Sequence, residues 1–337
     1  MRSDVSYHSS ETIIAPELVW PVQLVREICR HAGSHDIIET ARSNLTKEGV
    51  LRAVRRRDSA KLFDWLLAAV SYQGISDYVA GRYMDKNGTT SYFDVQQALV
   101  TLGSCEKLAE FTTFVDCGYQ KTKRSCMNKL ELACCPVPLF PLRNGRLNQT
   151  AVSLFLFVRD VAQGDLVQWI DTNACITSAR WAAARLSAGL GAVFGISDKV
   201  AALGLSGLLL ACSSFRPRWG AVGAQMVVVD TLVHNFLHRT GILRHLAAEH
   251  PYGSACYLNG GCSDVLRQIA TLVDAREFNP SYPPDFPRFV QQAIWRYCAE
   301  LELDFCNGRR IDDRLGCRHA HCAVFDLCFR QPIKPAK

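Results

Sequence analysis

Apolar positions along this chain recur mostly at helical spacing. From residue 17 to 57, Leu18, Val22, Leu24, Val25 and Ile28 form one apolar face, and Arg52, Arg55, Arg56 and Arg57 close the segment. A strong amphipathic helix is predicted over Lys61–Val70, running into Ser71-Tyr72-Gln73-Gly74. Between Thr101 and Pro141 the periodicity weakens and cysteines, lysines and prolines take over, which predicts an irregular insertion. Helical pattern resumes at Asn148–Asp160 and Ser178–Leu190. A tight Gly195-Ile196-Ser197-Asp198 turn then leads into an apolar helix, Lys199–Cys212. The basic stretch Ser213–Ala224 reads as a loop, and Val227-Val228-Val229 as an extended run ending at Asp230, where another helix opens and continues through His238. Other β-branched runs are scarce, so the pattern predicts a mainly α protein.

Composition bounds the class. The 337 residues leave room for two domains, and 48% hydrophobic with 21% charged residues excludes a disordered or collagen-like chain. No apolar stretch reaches the roughly 20 residues that span a bilayer, and MRSDVSYHSSE has no apolar core of a secretory signal. The expectation is a soluble intracellular monomer with no membrane partner. The net charge of +6 allows a polyanionic partner without requiring one. Fifteen cysteines in a chain without a signal peptide point to metal or cluster chemistry where they bunch, because reducing compartments disfavour disulfide frameworks.

They bunch twice. Cys306, Cys317, Cys322 and Cys328 are spaced C-x10-C-x4-C-x5-C, and four thiolates suit a 4Fe–4S cluster or a structural zinc. Cys117, Cys126, Cys134 and Cys135, with Cys105, fall in the insertion and are a possible second metal site, although their spacing matches no metal motif. The remaining cysteines, Cys256 and Cys262 among them, are scattered, and burial accounts for them.

Two further stretches carry chemistry. Val193–Ala201 reads as two helices joined by a glycine turn, and the N-terminus of the second helix would present free backbone N–H groups to a phosphate. Asp230, at the start of the next predicted helix, reads by itself as a plain N-cap. Taken together, the stretches resemble the helix–hairpin–helix DNA glycosylase (HhH-GPD) superfamily, in particular its endonuclease III-like branch. That family's hairpin reads roughly Gly-Val-Gly-Arg-Lys-Thr-Ala, against Gly195-Ile196-Ser197-Asp198-Lys199-Val200-Ala201 here. Its catalytic-helix motif, Val-Asp-Thr-His and later Asn-Arg-Thr, is matched by Val229-Asp230-Thr231-Leu232 and His238-Arg239-Thr240. Val70-Ser71-Tyr72-Gln73 resembles the Leu-Ser-x-Gln segment near the space a flipped base vacates, and Cys322–Cys328 matches the last cluster spacing. Ser197 stands at the second hairpin glycine, and Leu232 and Asn235 at the usual His and Arg, which implies an atypical substrate.

The resemblance covers roughly residues 60–100 and 145–328. It implies a helical hairpin domain over 59–238, with the cysteine-rich insertion at 103–143. Residues 1–58 would pack with a C-terminal domain, 239–337, that holds a cluster loop at 306–328, and the active site would lie in the cleft between. It further implies that Lys199 attacks the sugar C1′ as the lyase amine while Asp230 stabilises the cationic sugar, the target base having been flipped out of the duplex. Gln73, Gly195, Ser197, Arg216, Arg218 and Arg239 would contact double-stranded DNA, in the nucleoid of a bacterium or the nucleus of a eukaryote. Oxidised pyrimidines follow the nearest branch; oxidised guanine, methylated cytosine and phage-type modified bases stay open. Two other readings stand beside this one: a glycosylase that only removes the base, and a non-catalytic iron–sulfur protein that binds or senses damaged DNA.

Overall fold

The structure is a computed structural model that describes residues 15–72, 77–102, 105–120, 125–126, 140–142, 146–175, 178–306 and 311–334. Among them the chain is mainly helical, as expected. The elements in order are α1 (Pro16–Ala32), α2 (Ile37–Lys47), α3 (Val50–Arg56), α4 (Ser59–Ser71), α5 (Asp77–Asn87), α6 (Tyr92–Leu102), α7 (Phe111–Phe114) and α8 (Arg146–Leu156). There follow α9 (Leu166–Ala174), α10 (Ala179–Gly191), α11 (Asp198–Ala211), α12 (Pro217–Ala224), α13 (Thr231–Thr240), α14 (Ile242–His245), α15 (Cys262–Ala270) and α16 (Pro287–Cys298). In the predicted insertion a minimal antiparallel ladder pairs β1 (Tyr119–Gln120) with β2 (Ser125–Cys126), in the register Tyr119↔Cys126.

Two local expectations change. The stretch 17–57 divides into three helices, because Asp36 caps α2 through the backbone N–H groups of Ile38 and Glu39, both at 3.0 Å. Ser213–Ala224 is not all loop: Pro217 at the first helical position presets φ and starts α12, whose Trp219 and Val222 are buried. The Val227–Val229 run belongs to no helix or strand, and its side chains are buried.

The chain divides into two compact units, one formed by Met1–Ser34 with Thr231–Lys337 and the other by His35–Asp230. The second unit is built around α11, which α2, α4, α10 and α12 surround. Ala201, Leu205, Leu208, Leu209 and Ala211 leave it apolar on almost every side, which only a central helix tolerates. α4 contributes Leu62, Phe63, Leu66 and Leu67, and each such buried Leu or Phe is worth about 1.5–3 kcal/mol over an exposed one. α2 and α3 belong to this unit, because α2 packs along α11 and α3 along α4.

In the first unit α1 packs on α15 and α16, and α13 packs on α14 and α16. Arg296 Nη1 donates to the Ala32 carbonyl at 2.7 Å and so satisfies the C-terminal end of α1. The C-terminal segment folds back onto these helices. Phe329 N–H donates to the Thr240 carbonyl at 3.0 Å, Gln331 N–H to the Arg239 carbonyl at 2.8 Å, and Trp20 stacks on Phe329 with ring centroids 4.3 Å apart.

Candidate functional site

The turn between α10 and α11 is built on Gly195. Its φ of +82° lies in the left-handed region, and a Cβ there would stand 2.7 Å from Thr150 Oγ1, so glycine meets both demands at once. Ser197 follows as the N-cap of α11 in extended conformation, and its hydroxyl makes no capping hydrogen bond. Lys199 is the second residue of α11 and half-buried, and among the described residues no hydrogen bond or ion pair holds its amine. Asp230 is half-buried one residue before α13 and ends the same unit that contains Lys199. A cavity in this unit, lined by Lys61, Asp64, Tyr72, Thr90 and Leu142, includes neither Lys199 nor Asp230. Burial raises the Asp64 carboxyl there, partly offset by the Tyr92 N–H it accepts at 2.7 Å.

The residues expected to meet DNA fare differently. Gln73 lies outside the described residues. Arg216 forms an ion pair with Asp171 of α9 and stands 4.7 Å over the Trp219 ring, while Arg218 Nε donates to the Ala174 carbonyl at 2.7 Å. Both guanidiniums therefore knit α12 to α9. Arg239 departs furthest from expectation: it is 2% exposed and ion-paired to Asp313 at 2.9 Å, so it sits inside its unit instead of at a phosphate-binding surface. Of the inserted cysteines, Cys134 and Cys135 lie outside the described residues and Cys126 is in β2. Cys117 accepts a hydrogen bond from Gln149 Nε2 at 3.3 Å.

Cys306, Cys317, Cys322 and Cys328 line one small cavity with Arg239, Tyr297 and Phe325, of about 20 Å³. Their charges are mutually felt. Burial first, and then the neighbouring thiolates of Cys306, Cys322 and Cys317, push the Cys328 thiol up to about 12. Cys322 is raised by burial, and Cys306 is lowered by a hydrogen bond from Cys298 and by the charge of Arg239. Polar contacts already face the sulfurs: Tyr297 Oη lies 3.1 Å from Cys322 Sγ, and the Arg330 N–H donates to Cys328 Sγ at 3.3 Å. Arg239 Nη1 is buried with no hydrogen-bond partner among the described residues. Four thiols lining one cavity, an N–H···S contact and a buried cationic donor suit an anionic cluster.

The same unit holds a second set of soft ligands, which sequence spacing did not suggest. His234 of α13, His250, Cys256 and Cys262 bring one ligand atom each within 4.8 Å of one another. His234 Nδ1 lies 3.3 Å from Cys262 Sγ and 3.4 Å from Cys256 Sγ, and His250 Nε2 lies 3.3 Å from Cys262 Sγ. The two thiols split in acidity. A hydrogen bond from Cys262 draws the Cys256 thiol down against burial, while Cys262 is pushed up as the partner that keeps the proton. Cys256 and Cys262 are buried, as anticipated, but burial is only half of their description. The available signal was a run of four histidines followed by two cysteines, His234, His238, His245, His250, Cys256 and Cys262.

Comparison with protein-family models, with curated proteins and with solved structures finds no match. No helix among the described residues is long and apolar enough to cross a membrane.

Proposed function

We propose that this chain is a base-excision DNA glycosylase with an associated lyase activity at abasic sites, of the helix–hairpin–helix class with an iron–sulfur loop. The observation that carries the reading is the setting of Lys199. An amine held by no other side chain among the described residues stands on the first turn of a buried helix, directly behind the positive-φ turn at Gly195. The open N–H groups of that turn, left uncapped by Ser197, suit a DNA phosphate.

In this reading the flipped nucleotide presents its C1′ to the Lys199 amine. The Nζ–C1′ bond forms as the C1′–N glycosidic bond breaks and the base leaves with its electron pair. Asp230 stabilises the positive charge that develops on the sugar and accepts the proton that the amine releases. Ring opening then gives a Schiff base on Lys199, and loss of a proton from C2′ expels the 3′ phosphate and cuts the strand. Cys306, Cys317, Cys322 and Cys328 would hold a 4Fe–4S cluster, with Arg239 as a charged neighbour. When bound, such a cluster would supply a structural crosslink within the 306–328 loop.

The test avoids the unknown base. The protein is mixed with a duplex bearing one abasic site, borohydride is added, and a covalent adduct is sought in wild type, Lys199→Ala and Asp230→Asn. The expected outcome is an adduct in wild type that Lys199→Ala abolishes and Asp230→Asn weakens. No adduct from wild-type protein that still binds the duplex overturns the lyase assignment. An adduct that forms equally well in Asp230→Asn would overturn the role given to Asp230.

A further inference from the structure

We infer that His234, His250, Cys256 and Cys262 form a closed, four-coordinate zinc site, separate from the C-terminal cysteine cavity. The argument begins with protons. His234 Nδ1 carries either one lone pair or one proton, yet it faces two sulfurs at 3.3 and 3.4 Å. Cys262 Sγ faces two ring nitrogens, both at 3.3 Å, and all four ligand atoms lie within 4.8 Å of one another. Two thiol protons cannot serve that many contacts at once. Four atoms converging on one point are the arrangement that a shared cation produces.

The distances fit a single ion. Zinc with Zn–S near 2.3 Å and Zn–N near 2.0–2.1 Å places nitrogen and sulfur ligands roughly 3.5 Å apart at the corners of a tetrahedron. The three nitrogen–sulfur separations here are 3.3, 3.4 and 3.3 Å. A two-iron cluster with the same four residues would put its histidines and cysteines on different irons. All four ligand atoms here lie within 4.8 Å, which leaves no room for the second metal.

The outer contacts prepare the ligands. His250 Nδ1 donates to the Ala248 carbonyl at 2.6 Å, which leaves Nε2 bare and facing the sulfurs, the arrangement that fixes the tautomer of metal-bound histidines. His238 Nε2 donates to the His250 carbonyl at 3.1 Å and anchors that residue from α13. The loop is wound tightly enough to bring Cys256 beside Cys262: a Cβ at Gly261 would lie 2.2 Å from the Ala255 carbonyl oxygen. His234, Cys256 and Cys262 are buried, so no coordination position opens to solvent, and the ion would be structural. It would tie the 250–262 loop to α13, the helix that begins one residue after Asp230. This assignment does not depend on the glycosylase reading.

The test uses the full-length protein purified without chelator. Metal content is measured by mass spectrometry in wild type, in Cys256→Ser/Cys262→Ser, in His250→Ala and in Cys322→Ala. The expected result is one zinc per chain that both loop variants lose and Cys322→Ala retains. Zinc-edge X-ray absorption of wild type should show a mixed shell, with sulfur at about 2.3 Å and nitrogen at about 2.0–2.1 Å. A wild-type protein that takes up no zinc on dialysis against the metal, loop variants that keep all of it, or a sulfur-only shell would overturn the assignment. Should the loop variants fail to fold, the composition of the wild-type shell still decides.

Discussion

Arg239 and Asp313 are joined at 2.9 Å beside the four-cysteine cavity, the arginine side chain only 2% exposed and the aspartate 25%. Asp313 also receives Lys334 at 3.1 Å, so its charge is shared with a hydrated partner. Arg239 has no such reserve: Nη1 is buried without a hydrogen bond among the described residues. A buried cation with an unused donor is costly unless something anionic faces it, and the sulfurs of the cavity supply that.

Replacing the arginine should therefore be severe. Arg239→Met leaves Asp313 partly uncompensated, and a loss of about 3 kcal/mol in urea unfolding is expected, as for other broken buried ion pairs. Asp313→Asn should cost clearly less, because Asp313 is partly hydrated. If a cluster occupies the cavity, its visible absorbance should fall in Arg239→Met more than in Asp313→Asn. Equal stability losses in the two variants would contradict this account.

Trp20 ties α1 to the C-terminal segment by its stack on Phe329 and by Nε1–H donated to the Leu327 carbonyl at 2.8 Å. Trp20→Phe keeps most of the stacking and removes the hydrogen bond, which should cost about 1 kcal/mol. Trp20→Ala removes both and should roughly double that loss. Chemical denaturation of the two variants checks the order.

Gly195→Ala meets two obstacles, the left-handed backbone and the Thr150 hydroxyl. A loss of about 2 kcal/mol is expected, from strain and displacement together. Adding Thr150→Ala removes the steric part and not the backbone part, so the double variant should recover some stability relative to Gly195→Ala alone. Under the proposed function, affinity for duplex DNA should fall in both variants, because the altered turn presents the N-terminus of α11.

Asp160 offers a pH test. Hydrogen bonds from Arg159 hold its carboxyl below the ordinary range, against burial, and it also accepts the Phe111 N–H at 2.8 Å at the start of α7. A depressed carboxylate contributes stability above its unfolded pKa and loses it as pH falls through the folded value. Wild type should thus exceed Asp160→Asn by about 1 kcal/mol at neutral pH. The gap should shrink below about pH 4, the range of an unfolded aspartate. A difference that persists unchanged at low pH would assign the effect to packing.

The helices at 61–70, 178–190, 199–212 and 230–238 could be read from the chain because their information is local. Helical spacing of Leu62, Leu66 and Val70, the glycine turn before Lys199 and the bunching of Cys306, Cys317, Cys322 and Cys328 are all visible within a few turns of sequence. The roles of the arginines were not legible. Arg216 and Arg218 look like a basic loop until α9 supplies Asp171 and the Ala174 carbonyl from more than 40 residues upstream. Arg239 looks like a surface cation until α13 turns it inward toward Asp313. The histidine–cysteine set was hidden for the same reason. His234 belongs to a helix and Cys262 opens another, and no periodicity relates them; only the closed loop between them, drawn tight at Gly261, carries their ligand atoms to one point. By itself the sequence determined several of the helices and the places where thiols crowd along the chain. Which charges are buried and which soft ligands converge was decided by packing between segments distant in sequence, because ion pairing and coordination depend on separation in space.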